Sequence, residues 1–245
     1  VYDACFTANG LLALGASPIM DSAAEEAGEL ASKSDSVILN FAVTDRQGAD
    51  KITSAGKSAM LNKIPLIMDA AGAGISSYKN QLFQQLLNEL SVSIIRGNTF
   101  EIAQLIGEKP GDFEHNCKSS HRAINDLALL AAKKLSAIIV ITGKEQIISD
   151  GISTYVVQNG EGFLSRVFGS CFLQSAIIGS CAAVEGNLLE AAVSAMIING
   201  VAAEISANKT EGLGPGNFQI EFINQLSLLS SSEIDLYSSF SKLKN

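Results

Sequence analysis

Charged and polar residues end several short apolar runs of this sequence, and their types suit phosphate and metal binding. Asp69, Arg96 and Thr142 each end such a run. A carboxylate supplies the oxygen ligands that Mg²⁺ takes, and a guanidinium can hold two phosphate oxygens at once. Glu101 adds a second carboxylate shortly after Arg96. These residues predict an anion and metal site, provided that the fold brings the ends of the runs together.

Both carboxylates also have a purely structural interpretation. Glu101 lies three residues after Asn98, which is the spacing of a capping box at the start of a helix. Asp69 could equally be a turn residue or a helix N-cap, because aspartate is common at both. Residue type and spacing alone leave the metal site and the helix cap both open.

Gly169 and Ser170 form a candidate anion-binding turn, since an apolar helical stretch follows them. The amide N–H groups at the start of a helix favour a bound anion. The glycine-rich motifs of P-loop proteins and of dinucleotide-binding proteins do not occur in this sequence. The sequence therefore argues against an ordinary P-loop NTPase and against a dehydrogenase.

Four short apolar runs are predicted to be the strands that position these residues. The runs cover residues 36–40, 65–69, 92–96 and 137–142. Each is a continuous apolar run of the length of a strand buried on both faces. Helical patterns lie between them, and this alternation is typical of a parallel sheet with crossover helices. Ligands bind at the carboxyl ends of such strands, so the site is expected there, and Asn40 is a further residue that ends a run.

The C-terminal part of the chain has a different pattern. Two strand-like runs, at 146–149 and 154–158, precede a series of helices. Helices are predicted at 170–184, 188–207 and 217–230. The apolar stretches of the first two fall short of the roughly 18 residues that span a bilayer, so we expect buried helices and no membrane partner. No linker or repeat divides the chain, and residues 1–245 are predicted to form a single domain.

Composition excludes several classes of protein. Of the 245 residues, 47% are hydrophobic and 17% are charged, with a formal net charge of -8. A chain this apolar is not disordered, because burial offsets its ordering entropy. The negative balance and the absence of Trp argue against a nucleic-acid partner. Four cysteines without a C-x-x-C pair predict a reduced, cytoplasmic protein, and two histidines argue against a zinc site.

A set of motifs spread over nearly the whole chain matches the pattern of one known family. The longest is TANGLLALGASPIM at residues 7–20, followed by EE at 25–26. Others follow in order: Asn40, Asp69, IRGN at 95–98 with EI at 101–102, ITG at 141–143, DG at 150–151, RV at 166–167 and GPG at 214–216. Together they resemble the hydroxyethylthiazole kinase family, the thiazole-salvage enzymes of thiamine biosynthesis.

The resemblance implies a fold, a reaction and an assembly. The fold is ribokinase-like, an α/β fold of three layers in which a mostly parallel central sheet has helices on both faces. The reaction is the phosphorylation of the hydroxyethyl group of 4-methyl-5-(2-hydroxyethyl)thiazole, with ATP as co-substrate and Mg²⁺ as cofactor. The assembly is a homotrimer with active sites between subunits.

The resemblance also assigns roles by position. Met20 and the backbone at Gly169 would contact the thiazole alcohol. Arg96 and Thr142 would contact the ATP phosphates. Asp69 and Glu101 would organise Mg²⁺, and Glu101 could do so while it also caps its helix.

The turn before the helix at 170–184 departs from the family pattern. The family has V-T-G-[TA]-G-C-x-L, with its Cys near the reacting hydroxyl, whereas this chain has VFGSCFL at 167–173. Without a gap, Phe172 replaces that Cys and Cys171 replaces the second Gly. A catalytic role for Cys171 beside Gly169 and Ser170 therefore requires a one-residue deletion, and from residue type alone Cys171 is more typical of a buried apolar position.

Two further departures affect the predicted site. The D-P-V-G pattern is altered to DAAG at 69–72, which keeps the carboxylate, and Ala42 and Val43 stand where the family usually has Gly-Thr. Two hypotheses follow from these differences. The chain is either a working thiazole kinase with an altered anion site, or a nucleotide-binding or thiazole-binding homologue with little kinase activity.

Overall fold

A computed structural model describes residues 2–20, 23–41, 46–109 and 120–243. The altered positions Ala42 and Val43 lie outside these residues. In chain order the elements are α1 (Tyr2–Leu14), α2 (Ala27–Ser32), β1 (Val37–Asn40), α3 (Arg46–Leu61), β2 (Leu66–Asp69), α4 (Ser77–Glu89), β3 (Ile94–Asn98), α5 (Thr99–Leu105), α6 (Ser120–Leu135), β4 (Ile138–Thr142), β5 (Gln146–Ser149), β6 (Thr154–Val157), a 3₁₀ turn (Gly162–Arg166), α7 (Ser170–Val184), α8 (Leu188–Lys209), α9 (Pro215–Leu228), α10 (Ser231–Tyr237) and β7 (Phe240–Lys242).

All seven strands pair in one sheet, in the order in which they occur along the chain. The pairs from β1 to β4 are parallel, as the four apolar runs predict. The pairs from β4 to β7 are antiparallel. Short connections join β4 to β5 and β5 to β6, as antiparallel neighbours allow, whereas β7 reaches β6 from the C-terminal end of the helices. The sheet is therefore mixed, and its parallel half carries the predicted strand ends.

Helices cover both faces of the sheet, which explains why the strands are apolar throughout. Along β3, Ile95 belongs to a core with α2 to α6, whereas Ile94 belongs to a second core with α1, α7, α8 and α9. Alternate residues of a strand point to opposite faces, so each strand must supply apolar side chains to both cores. This arrangement confirms the three-layer α/β fold.

Helix α8 has 22 residues and, in the part of the chain that the structure describes, is the one helix long and apolar enough to cross a membrane. The expectation that its apolar stretch is too short was wrong, because the helix continues as far as Lys209. Two thirds (67%) of the apolar stretch of this helix is nevertheless buried inside the protein. It packs between α7 and α9, as expected of a core helix.

Helix α7 runs against the direction of the parallel strands. Its middle lies on β1, where Gly179 faces Ile38. Earlier in the helix, Gln174 and Ser175 bond to side chains at the ends of β3 and β2. The N-terminus of α7 consequently lies at the carboxyl edge of the sheet, where a helix N-terminus can contribute to a ligand site.

Candidate functional site

The parallel strands bring their predicted end residues together at one edge of the sheet. Asn40 pairs with Asp69, and Asp69 pairs with Arg96. Asn98 pairs in turn with Thr142. The expected meeting of the strand ends is confirmed, and it places a carboxylate, a guanidinium and a hydroxyl on three neighbouring strands.

Asp69 is fully buried, and three groups surround its carboxylate. Oδ1 accepts a hydrogen bond from the N–H of Ala71 at 3.0 Å, which is a turn contact two residues along the chain. Oδ2 accepts from Oγ of Ser175 at 2.8 Å. Nη1 of Arg96 lies 3.6 Å from Oδ1. Asp69 therefore makes the turn contact that the sequence allowed, and it also faces the guanidinium of Arg96, while its role as a metal ligand stays a prediction.

Arg96 is a buried cation with only part of its donor capacity in use. Its residue is 6% exposed, and Nη2 donates to Oε1 of Gln174 at 2.7 Å. Among the described residues, Nε is buried without a hydrogen-bond partner. A buried unsatisfied donor is uncommon in a folded protein, and a guanidinium N–H is well suited to a phosphate oxygen. This donor fits the predicted contact with an anionic ligand.

Glu101 forms the capping box that its spacing predicts. The side chain of Asn98 accepts from the N–H of Glu101 at 2.9 Å, and Oε2 of Glu101 accepts from the N–H of Asn98 at 2.9 Å. The other carboxylate oxygen, Oε1, accepts from the N–H of Gly72 at 3.0 Å. Glu101 thus caps α5 and also holds the loop that follows β2.

The donor set at this edge fits a magnesium ion that is bound together with a nucleotide. Asp69 and Glu101 accept from the consecutive amides of Ala71 and Gly72, so both carboxylates border one loop. A carboxylate has about four lone-pair sites, and the amide bonds of Glu101 occupy two of them. Mg²⁺ commonly takes one or two carboxylates and completes its shell with water and substrate phosphates. Glu101 is the better placed ligand, because Asp69 is fully buried and faces Arg96.

No cluster of three or more His, Cys, Asp or Glu side chains suited to a metal occurs within residues 2–20, 23–41, 46–109 and 120–243. The described residues therefore provide no complete protein cage for an ion.

Gly169 makes the turn that begins α7. Its φ of 87° lies in the left-handed region, which costs a residue with a Cβ about 1–2 kcal/mol. Oγ of Ser170 donates to the carbonyl of Leu164 at 2.7 Å, and the N–H of Ser170 donates to the carbonyl of Val167 at 3.2 Å. Ser170 therefore fixes the turn, and its hydroxyl points into the preceding 3₁₀ turn.

The two aromatic residues of the altered segment differ in exposure. Phe168 is 75% exposed, whereas Phe172 is partly buried in the first turn of α7. Cys171 is also partly buried. Further along the helix, burial raises the pKa of the Cys181 thiol to about 11, so Cys181 is protonated at neutral pH and is a poor nucleophile.

The two remaining predicted residues, Thr142 and Met20, are less buried than Asp69 and Arg96. Thr142 is partly buried, and its Oγ1 donates to the carbonyl of Gly97 at 3.4 Å. Met20 is 39% exposed and follows Ile19, which is 56% exposed. Both apolar side chains are available to a ligand or to a second subunit.

Three residues at this edge were not predicted from the sequence. Gln174 and Ser175 hold the side chains of Arg96 and Asp69, and both are buried. Nζ of Lys79 donates to the carbonyl of Phe41 at 3.0 Å, just beyond β1. Gln174 and Ser175 could have been noticed in the sequence, because they are two adjacent polar residues inside a mostly apolar helix.

Comparison with known proteins gives a family and a set of similar structures. Residues 2–232 match the model of the Hydroxyethylthiazole kinase family. The structure is similar to that of a hydroxyethylthiazole kinase from Pyrococcus horikoshii OT3, with a TM-score of 0.88 and 28% sequence identity. That similarity covers 97% of this chain and 89% of the other.

Two more distant structures share the fold. A ribokinase-like superfamily protein from Enterococcus faecalis V583 has a TM-score of 0.64 at 12% identity, over 93% of this chain and 82% of the other. An ADP/ATP-dependent NAD(P)H-hydrate dehydratase from Bacillus subtilis, co-crystallised with ATP/Mg²⁺ and soaked with CoA, has a TM-score of 0.64 at 13% identity. That similarity covers 94% of this chain and 87% of the dehydratase chain. These two similarities establish a ribokinase-like fold.

Proposed function

The chain belongs to the hydroxyethylthiazole kinase family and is a kinase, and we propose that it transfers the terminal phosphate of ATP to the hydroxyl of 4-methyl-5-(2-hydroxyethyl)thiazole. The observation that carries this proposal is the meeting of Asp69, Arg96 and Thr142 at the carboxyl edge of the sheet, where the N-terminus of α7 also lies. The product is a thiazole phosphate for thiamine biosynthesis or salvage.

Phosphoryl transfer depends mainly on positioning and on stabilisation of charge. Arg96 and Thr142 bind the ATP phosphates in this proposal, and the unpaired Nε of Arg96 supports its part. Glu101 and Asp69, which both border the loop after β2, would hold Mg²⁺. When bound, the ion neutralises charge on the transferred phosphate.

The start of α7 faces the reacting end of the substrates. Gly169, Ser170 and Cys171 present the positive end of the helix to the phosphate, and Ser170 keeps the turn in place through its bond to Leu164. The thiazole ring lies against Met20 and the backbone at Gly169.

We also propose that the kinase works as a homotrimer with active sites between subunits. Exposed apolar side chains support an assembly of this kind, among them Met20 and also Phe168, which directly precedes the Gly169 turn. Cys5 and Cys181 are free thiols, which supports a reducing compartment such as the cytoplasm.

A coupled assay of ADP release with the thiazole alcohol tests the proposed function. We expect Mg²⁺-dependent turnover that exceeds the rate without the alcohol, since hydrolysis of ATP alone also releases ADP. Equal rates with and without the alcohol would reject the kinase. Nucleotide binding without turnover would instead favour the binding homologue, and the combined Cys171→Gly and Phe172→Cys change should then raise the rate.

A further inference from the structure

Asp69 and Arg96 do not fix each other's position. Their closest contact, Nη1 to Oδ1, is 3.6 Å, which is longer than the 2.7–3.2 Å typical of an N–H to oxygen hydrogen bond. The short bonds of both side chains go elsewhere. Arg96 donates to Gln174 at 2.7 Å, and Asp69 accepts from Ser175 at 2.8 Å. Both of these partners lie on α7.

We propose that Gln174 and Ser175 are positioning residues of the phosphoryl-transfer site. Gln174 sets the guanidinium of Arg96, and Ser175 sets the carboxylate of Asp69. This inference rests on the proposed function, because it gives these residues a purpose only if Arg96 and Asp69 serve the reaction.

The geometry of α7 lets two consecutive residues reach two adjacent strands. Neighbouring strands lie about 4.8 Å apart, and the ends of β2 and β3 pair through Asp69 and Arg96. The side chains of Gln174 and Ser175 diverge from one helix and meet one strand each. The helix also begins at the Gly169 turn, about 7.5 Å away along its axis at 1.5 Å per residue. One rigid element therefore sets the distance from the amide end of the helix to the charged pair.

The chemical types of the two residues suit this task. The amide of Gln174 is a neutral acceptor, so it orients Arg96 without neutralising the charge that a phosphate would bind. The hydroxyl of Ser175 donates to Asp69 and holds one oxygen of the carboxylate in place. Both side chains are at least nine-tenths buried, so water does not replace these bonds readily.

The test uses substitutions that change one bond at a time in the full-length protein. Ser175→Ala removes the donor to Asp69, and Ser175→Thr keeps a hydroxyl. Ser180→Ala is the matched control, because Oγ of Ser180 bonds only within the helix, to the carbonyl of Ala176. Gln174→Leu removes the acceptor of Arg96. Gln174→Glu keeps an acceptor and is the second variant should the first fail to fold.

Each variant is measured by kcat, by the KM of each substrate, by the calorimetric affinity for ADP and by Tm. Ser175→Ala should lower kcat by about 10- to 100-fold, the range that a hydrogen bond to a charged group supports, with the KM of the thiazole alcohol unchanged. Ser175→Thr should recover most of that loss, and Ser180→Ala should match the wild type. Gln174→Leu and Gln174→Glu should each weaken ADP binding by about 10-fold or more, the first through lost orientation and the second through added negative charge.

The outcomes separate this inference from the proposed function. An active wild type whose Ser175 and Gln174 variants keep their kcat and ADP affinity would overturn the inference and leave the function standing. An inactive wild type that still binds ADP would overturn the function and with it the positioning role in phosphoryl transfer, whatever the ADP affinity of the variants. A wild type that neither binds ADP nor turns over would overturn both.

Discussion

Arg96 shows how a single buried charge connects stability with function. The residue is only 6% exposed, and the carboxylate of Asp69 is the opposite charge that the described ion pairs provide for it. A buried cation needs such compensation, because its desolvation is costly. Asp69 therefore has a structural task as well as a proposed catalytic one.

Asp69→Asn should destabilise the protein strongly for this reason. Removing one partner of a buried ion pair costs about 3–5 kcal/mol, and we expect a loss of that size in the free energy of unfolding, measured by urea denaturation. The combined Asp69→Asn and Arg96→Met change should recover part of the loss, since it removes the uncompensated charge. A single variant as stable as the wild type would contradict the assignment of Asp69 as the counter-charge.

The sequence predicted individual residues unevenly. Asp69, Arg96 and Thr142 could be found because they end apolar runs, and the strand-end rule then places them together. Glu101 could be found as a cap from its spacing to Asn98, and the structure bears this out. Gln174 could not be assigned, because its partner Arg96 is 78 residues away and depends on which helix face meets the sheet.

At the scale of elements, the turn at Gly169 determines where α7 begins. Gly169→Ala should lower the free energy of unfolding by about 1–2 kcal/mol, because φ is 87° there. Kinase activity should fall further than stability accounts for, since the amide end of the helix shifts. Gly162→Ala is the control, as its added Cβ meets nothing within 4 Å. Equal stability and activity in both variants would show that the left-handed turn is not required.

A second glycine tests the packing of α8 away from the site. A Cβ at Gly200 would lie 2.5–2.7 Å from side-chain and backbone atoms of Asn159, whose amide also joins the loop to Glu204 and to the carbonyl of Tyr237. Gly200→Ala should therefore destabilise the protein by about 1–3 kcal/mol, the usual cost of overpacking, with kcat and KM unchanged. Thermal unfolding of Gly200→Ala is compared with that of the control Gly216→Ala, where the added Cβ meets nothing within 4 Å. Equal Tm values for the two variants would contradict this prediction.

Elements with a clear period were predictable, and those shaped by tertiary packing were not. The four parallel strands follow from their apolar runs. The helix α1 was not predicted, because it is apolar with Gly10 in its interior, and that glycine is needed where Leu173 packs 2.5 Å from its Cβ position. The three residues of strand β7 are all exposed, and the strand pairs with β6 only through the fold, so no apolar run marks it.

At the scale of the whole molecule, the seven described strands belong to one sheet, and the single domain over residues 1–245 stays a prediction. The many apolar residues occupy two kinds of position in the structure. Most of the buried ones fill two cores, one on each face of the sheet. Others are large side chains that stay exposed, among them Ile75, Ile152, Phe168, Val184 and Leu236, each at least 72% exposed.

The proposed trimer accounts for part of this exposed apolar surface. Light scattering after size exclusion should give a mass three times the 25.7 kDa of one chain, since burial of apolar surface drives association. Replacing Phe168 by Asp should shift the mass toward that of the monomer if this side chain lies at the interface. A monomer at every concentration tested would contradict the assembly and would require each active site to lie within one subunit.

The central claim is that the edge formed by Asp69, Arg96, Glu101 and Thr142 transfers phosphate from ATP to a thiazole alcohol. Mass spectrometry of a reaction with ATP, Mg²⁺ and 4-methyl-5-(2-hydroxyethyl)thiazole tests it most directly, because it identifies the product itself. Arg96→Gln serves as the matched variant, since it keeps a hydrogen-bonding side chain and loses the charge, and yields are compared per folded molecule because breaking the buried pair with Asp69 also lowers stability. The account predicts the thiazole phosphate with the wild type and a yield at least about 100-fold lower with Arg96→Gln, the loss typical of a charge-stabilising group. Absence of the thiazole phosphate with the wild type, or equal yields from the two proteins, would contradict it.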